Sequence, residues 1–306
     1  MSAATTTKKP TREKGSGKTG RTNRTPAQLQ ALKQSLIGLI QSYGVATTIR
    51  HIYYLAVTAG IGPKGKKLYD DCIAQLGEAR RAGELAFEWI LDNTREISEP
   101  LTFLNIPQAL EWLIRQYKLS YWDQPEADCQ VHVWAEADTV AHIIKEVTFH
   151  KYAVPFYCAR GASSITFIKK AAKRIEADGR PAFVYWFGDW DKSGVDIFNS
   201  FEEDTQAWTP TTQVHIERIA VTQDQIEQYG LLTHDCKPEQ LAKWYTKTGQ
   251  TEVCELDAMD ADDLKALVEN VIVQHIDMAA FAAMKEREAR EKETLRNFAA
   301  KFGGTS

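Results

Sequence analysis

The sequence predicts an α/β protein in which a helical N-terminal domain precedes a parallel sheet flanked by helices. Up to about residue 81 the apolar residues recur at helical spacing. From residue 130 short apolar runs alternate with amphipathic stretches, the signature of strands crossed by helices. Two of those runs deliver acids at their carboxyl ends, one directly and one after a glycine, and open parallel sheets place their ligands there.

In chain order, Thr25-Pro26 supplies a helix cap and a first-turn proline, followed by Leu29, Leu32, Leu36, Ile37 and Ile40 on one face, with Gly44 as the stop. A second helix is expected over Thr47–Ala59. The turn Gly62-Pro63-Lys64-Gly65 follows, and a third helix runs from Leu68 to Arg81. Three short helices in succession resemble a helix-turn-helix core, and Leu85–Ile90 would supply the strands or wing of a winged helix (CAP-like) over 26–98. Lys64, Lys66, Lys67, Arg80 and Arg81 surround the third helix, either to meet DNA phosphates or as a solvated face. Residues 99–128, with Pro100, Pro107 and Pro125, are a linker region holding a helix over Gln108–Gln116.

Strands are expected at Val131–Ala135, Ala153–Cys158, Ala182–Phe187 and Val214–Ala220, with helices over Thr139–Val147, Ser164–Ala177 and Ser193–Phe201 between them. After Asp260 the pattern is helical throughout and ends in the charge-rich run Met284–Arg296. The α/β domain and its extension therefore cover 129–282, and 283–306 is a charged C-terminal helix.

Composition narrows the function classes. With 306 residues, 43% hydrophobic and 25% charged, the chain is ordinary for a globular protein of about two domains. No apolar run approaches the roughly 18 residues of a membrane span, and the first residues are polar rather than signal-like, so the expectation is a cytoplasmic, nucleoid-associated protein without a membrane partner. Cys72, Cys129, Cys158, Cys236 and Cys254 are widely spaced and form no Cys-x-x-Cys pair, which argues for reduced thiols over a disulfide framework or zinc site. Residues 1–26 carry seven Lys or Arg against one acid, Glu13, leaving the rest near −10 where the whole is −4. A disordered basic tail over 1–25 is an electrostatic tether for a polyanion such as DNA, although such tails also occur on proteins that never touch it. Gly15-Ser16-Gly17-Lys18-Thr19 echoes a phosphate loop but lacks the first glycine and the preceding strand.

The acids carry the chemistry. Glu136 closes the first strand, and Gly188-Asp189-Trp190-Asp191-Lys192-Ser193-Gly194 follows the third. Two aspartates one residue apart can share a space; oxygen ligands of this kind suit Mg²⁺, with Mn²⁺ as substitute. Taken alone the turn reads more readily as a capped loop, and the strand-end glutamate reverses that balance. A strand-end glutamate followed some fifty residues later by Asp-x-Asp resembles a Toprim domain in order, spacing and strand context.

Further segments extend the resemblance: Val133-Trp134-Ala135-Glu136, Ala159-Arg160-Gly161-Ala162-Ser163-Ser164, Glu217-Arg218-Ile219-Ala220 and Glu255-Leu256-Asp257-Ala258. Over about residues 45–275 the chain resembles the A subunit of topoisomerase VI and the meiotic break-forming transesterase, with bacterial, plasmid and phage relatives that include a plasmid-defence nuclease subunit. Ala137 stands where many relatives carry lysine, and Lys192 where proline is usual. The resemblance implies metal ligation by Glu136, Asp189 and Asp191. It also identifies Arg50-His51-Ile52-Tyr53-Tyr54 with the motif whose second tyrosine attaches to a 5′ phosphate, making Tyr54 the candidate nucleophile, assisted by Arg50. Double-stranded DNA, a homodimer in which one chain's tyrosine meets the other's metal site, and a separate ATPase subunit are the implied partners.

Two alternatives stand beside transesterification. Tyr54 can be a core residue of a hydrolytic nuclease in which metal-activated water attacks. The chain can also be a DNA-binding module with a degenerate Toprim domain. Arg160 and Arg218 are candidate phosphate ligands with structural salt bridges as the rival, and Glu255 and Asp257 either approach the metal cluster or cap the helix near Asp260.

Overall fold

The computed structural model describes residues 24–91, 99–159 and 165–301. Arg160, the Gly161–Ser164 turn, the phosphate-loop echo and most of the basic tail lie outside them. Of that tail, Arg24 and Thr25 are described: Arg24 pairs with Asp71, and Thr25 caps the first helix in a capping box with Gln28.

Helices α1 (Pro26–Tyr43), α2 (Ile49–Thr58) and α3 (Lys66–Arg81) pack around Leu36, Ile40, Ile52, Cys72 and Leu76, all buried. The strands expected over Leu85–Ile90 do not form. Phe87–Trp89 is a 3-10 turn, and extended pairing is confined to Thr47, which donates to Trp89 O at 3.1 Å and accepts from Leu91 N at 2.9 Å. The reason is local: Leu85 is drawn into the three-helix core, and Thr47 has no extended continuation because α2 begins two residues later. Helix α4 (Ile106–Gln116) starts earlier than expected, capped by Asn105 with a proline in its first turn.

Strands β1 (Gln130–Ala135), β2 (Phe156–Cys158), β3 (Ala182–Phe187) and β4 (Val214–Ala220) form one parallel sheet in the order β2-β1-β3-β4. The second strand begins at Phe156 rather than Ala153, because Ala153 is left-handed (φ 54°) at the end of a π-helical turn over Glu146–Tyr152 that extends α5 (Ala141–Lys145). The sheet is flanked by helices. Val131, Val133, Tyr185 and Phe187 face a core shared with α5 and α10 (Ala261–Val273). Trp134, Val184 and Trp186 face α6 (Ile165–Asp178) and α7 (Lys192–Ala207), where Trp134 and Phe201 approach to 4.6 Å. Burial on both faces explains why these strands read as continuous apolar runs.

Beyond β4 come α8 (Gln223–Tyr229), β5 (Thr233–Asp235), α9 (Pro238–Thr248) and β6 (Glu252–Cys254), with β5 and β6 paired antiparallel. The C-terminal region is two helices, not one. Helix α10 and α11 (Met278–Ala300) meet at 101°, and Asp277 caps the second by accepting from Ala279 N and Ala280 N. Among the described residues no single helix is long and apolar enough to cross a membrane, and none of the five cysteines is in a disulfide.

Candidate functional site

Register builds the acid turn. Trp134 pairs with Trp186 and Ala135 with Phe187, so β1 and β3 end side by side and Glu136 emerges next to Gly188. Glu136 N donates to Phe187 O at 2.8 Å, and Glu136 Oε2 accepts from Asp189 N at 3.1 Å. A Cβ on Gly188 would lie 2.6 Å from Glu136 Oε2, and one on Gly194 would lie 3.0 Å from the same atom. The nearest obstacles are Trp186 Nε1 at 2.5 Å for Gly188 and the Asp189 backbone carbonyl at 2.4 Å for Gly194, so the packed turn as well as the glutamate excludes a side chain at both positions.

The aspartates are equally tied to the backbone. Asp191 Oδ1 caps α7 by accepting from Gly194 N at 2.6 Å, and Asp189 Oδ1 accepts from Leu256 N at 2.8 Å. Arg218 donates to the carbonyls of Gly188 at 2.9 Å and Gly194 at 3.2 Å, and also to that of Asp189. These bonds brace the turn through its carbonyls, where the expected structural alternative was a salt bridge. Burial and then the charge of Asp189 push the Glu136 carboxyl up to about 7, and burial raises Asp189 to about 6.

Glu136, Asp189 and Asp191 each spend one oxygen on a backbone N–H and have no other hydrogen-bond partner among the described residues. Among the described residues no group of three or more His, Cys, Asp or Glu side chains, Glu136, Asp189 and Asp191 included, is placed to hold a metal ion. The donor chemistry still fits Mg²⁺, which takes one or two carboxylates and fills its shell with water and substrate phosphate. An orphaned buried oxygen, Asp257 Oδ1, lies in the same region, and burial pushes that carboxyl up to about 7.

The tyrosine motif meets this region along one short segment. Cys254, at the end of β6, exchanges backbone hydrogen bonds with Trp190 at 2.7 and 3.0 Å, and Leu256 N holds Asp189. Between them, Glu255 accepts hydrogen bonds from the Tyr54 phenol and from Arg50. Asp257 pairs with Arg50 Nε at 3.5 Å and accepts from Thr139 Oγ1 at 2.8 Å. Within one chain, the candidate nucleophile and the strand-end acids are thus joined through Glu255-Leu256-Asp257. Burial, then the carboxylate of Glu255, raise the Tyr54 pKa. Burial alone would raise Glu255, but the Tyr54 hydrogen bond and Arg50 outweigh it and hold that carboxylate below its ordinary value.

The expected DNA-contacting cations separate into two groups. Lys64 and Lys66 line a cleft beside Tyr54, and Lys66 and Lys67 open α3. Arg80 and Arg81 stand at the far end of this 16-residue helix, on the order of 20 Å away; Arg80 lies over the Phe87 ring at 5.5 Å. Sequence reasoning missed His234, whose Nδ1 is 3.0 Å from Lys64 Nζ. It also left Glu255 undecided between cap and cluster. The signal was the acid pair bracketing Leu256 directly after an apolar strand. His51 is buried, lies 3.1 Å from Tyr43 Oη, and is pushed down to about 4 by burial. Neither a protein-family model nor a curated protein matches the chain.

Proposed function

We propose that the chain is a Mg²⁺-dependent DNA-cleaving enzyme of winged-helix and Toprim architecture, resembling the A subunit of type IIB topoisomerases. The observation that carries this reading is the Tyr54–Glu255 hydrogen bond, made one residue from the Leu256 N–H that holds Asp189. Phenol, arginine and strand-end acids are parts of one connected arrangement.

Glu136, Asp189 and Asp191 would hold the metal, with Mn²⁺ as a substitute. When bound, it supplies positive charge at the scissile phosphate and offsets charge on the leaving oxygen. Tyr54 Oη forms a bond to phosphorus and the bond from phosphorus to the 3′ oxygen breaks, giving a 5′-phosphotyrosyl end and a free 3′ hydroxyl. The phenol proton passes to Glu255, which already accepts it as a hydrogen bond and is ionised at neutral pH. Glu136 is an oxygen ligand when ionised and, with a pKa near 7, a proton donor to the 3′ oxygen when protonated. Arg50 orients Glu255 and brings positive charge to the phenol. Double-stranded DNA, a homodimer and a separate ATPase subunit belong to the same proposal. The proton transfer to Glu255 applies to Tyr54 acting with the acids of its own chain; in a homodimer where Tyr54 meets the partner's metal site, the Tyr54–Glu255 bond is broken and Glu255 is not the base.

A hydrolytic nuclease of plasmid or phage defence is the second reading. It is favoured by the burial of Tyr54 in the three-helix core, which opposes ionisation of the phenol. Incubation with supercoiled plasmid and Mg²⁺ separates the two: Tyr54→Phe abolishes cleavage and the DNA-linked protein under transesterification, and preserves cleavage under hydrolysis. A DNA-binding module with a degenerate Toprim domain would bind the plasmid and cut it under neither condition.

A further inference from the structure

Beside the Tyr54 phenol, between the start of α3 and the β5–β6 pair, lies a cleft of about 600 Å³. Its walls divide by chemistry. Tyr53 and Tyr69, with ring centroids 5.4 Å apart and edge to face, form an aromatic side. Lys64, Lys66 and His234 form a cationic side. Two acids also line it: Asp70 on α3, and Glu255, which is already engaged by Tyr54 and by Arg50, itself a lining cation.

Lys64 is the informative residue. Its ammonium lies 3.0 Å from His234 Nδ1 and 5.0 Å from the Tyr54 ring centroid; the Glu255 carboxylate attracts it, but that carboxylate already accepts from Tyr54 and Arg50. Burial lowers its pKa, and that of His234 as well, so the imidazole beside it is neutral. A half-buried cation between a neutral ring and a π face calls for an anion. Helix α3 starts at the same rim with Gly65 at its N-cap and no side-chain cap, which adds a positive helix end to the cationic wall.

Size selects the form of the anion. Small-molecule sites run roughly 300–1,000 Å³. A base-paired duplex cannot enter such a cleft, whereas one nucleotide turned out of the stack does. We infer that the cleft binds a single unstacked nucleotide of a DNA strand, with its phosphate at Lys64 and the start of α3 and its base against Tyr69, which the buried Tyr53 backs. The inference rests on the Tyr54-dependent cleavage reading and names its substrate: DNA with an unpaired or easily unpaired step next to the scissile phosphate. Turning out a base is costly in paired duplex and least so where the step is already unpaired.

The test uses the full-length protein in EDTA, so that binding is read without cleavage. Fluorescence anisotropy compares one sequence as paired duplex, as duplex with a short unpaired bubble, and as single strand. The bubble and the single strand bind at least about 10-fold tighter than the paired duplex. Tyr69→Ala and Lys64→Ala each erase about 5-fold or more of that preference, whereas Tyr69→Phe, which keeps the ring, retains it. Equal binding of the three DNAs, or alanine variants that keep the preference, overturns the inference. Free thymidine monophosphate is added as competitor: displacement of the strand at equal concentration assigns the cleft to free nucleotides and also overturns it. Wild-type cleavage of paired duplex by Tyr69→Ala in Mg²⁺ sinks the cleft and leaves the cleavage reading standing. Strand bound in the cleft but never cut in Mg²⁺ does the reverse.

Discussion

Glu136 and Asp189 stand at the ends of two paired parallel strands and are fixed by backbone groups, whereas Tyr54 leaves α2 and is held by a side chain 201 positions away. The acid turn is a product of register: once β1 and β3 pair, its carboxylates have little freedom. The tyrosine end is a product of docking, since Tyr54, Arg50 and Glu255 meet only when the three-helix unit packs on the 254–258 segment. The first region is therefore expected to resist change until its backbone is disturbed. The second is expected to respond to single side chains.

The largest expected effect is at the acid turn. Asp189→Asn removes a carboxylate oxygen donor while keeping an acceptor for Leu256 N, and should lower Mg²⁺-dependent plasmid nicking on the order of 10²–10³-fold. Unchanged nicking would break the assignment of this turn as the metal site. Next in size is Gly188→Ala, where a Cβ has Glu136 Oε2 at 2.6 Å. Overpacking of this kind costs about 1–3 kcal/mol, read by urea unfolding. A neutral result would mean that the turn relaxes more freely than register implies.

At the docking end, a double-mutant cycle between Tyr54→Phe and Glu255→Gln should give a coupling of about 0.5–3 kcal/mol in unfolding free energy. The same cycle between Tyr54→Phe and Asp191→Asn should be additive within about 0.5 kcal/mol. Coupling in both cycles would erase the distinction between the two regions.

A separate expected effect is one of pH. Burial raises the Asp257 carboxyl from an ordinary value near 4 to about 7. Because its folded-state pKa is raised, its contribution is fully present below pH 4 and is lost as pH rises through 7. Asp257→Asn removes that loss, so its melting temperature relative to wild type should rise between pH 4 and pH 7. A constant difference would show that Arg50 fully neutralises Asp257.

This contrast also governs what the sequence made legible. Glu136 and the Asp189-x-Asp191 turn were readable because apolar runs mark their strands and the acids follow at once; parallel pairing then does the rest. The alternation Val131–Ala135 and Ala182–Phe187 fixed the sheet for the same reason. Leu85–Ile90 misled because its apolar residues serve the helical core, where Leu85 is buried, and not a ladder. The continuous helix after Asp260 misled because Asp277 reads as one more polar residue until its carboxylate is seen capping α11. His234 and the Tyr54–Glu255 contact were invisible because each depends on a pairing across well over a hundred residues that no local pattern encodes.

The most direct measurement of the central claim is peptide mapping of the protein after reaction with plasmid DNA and Mg²⁺, nuclease trimming and mass spectrometry. The account predicts a nucleotide remnant attached to Tyr54 through its phenolic oxygen, absent from Asp189→Asn. Plasmid cleaved with every tyrosine unmodified, or a remnant on a different residue, would contradict it.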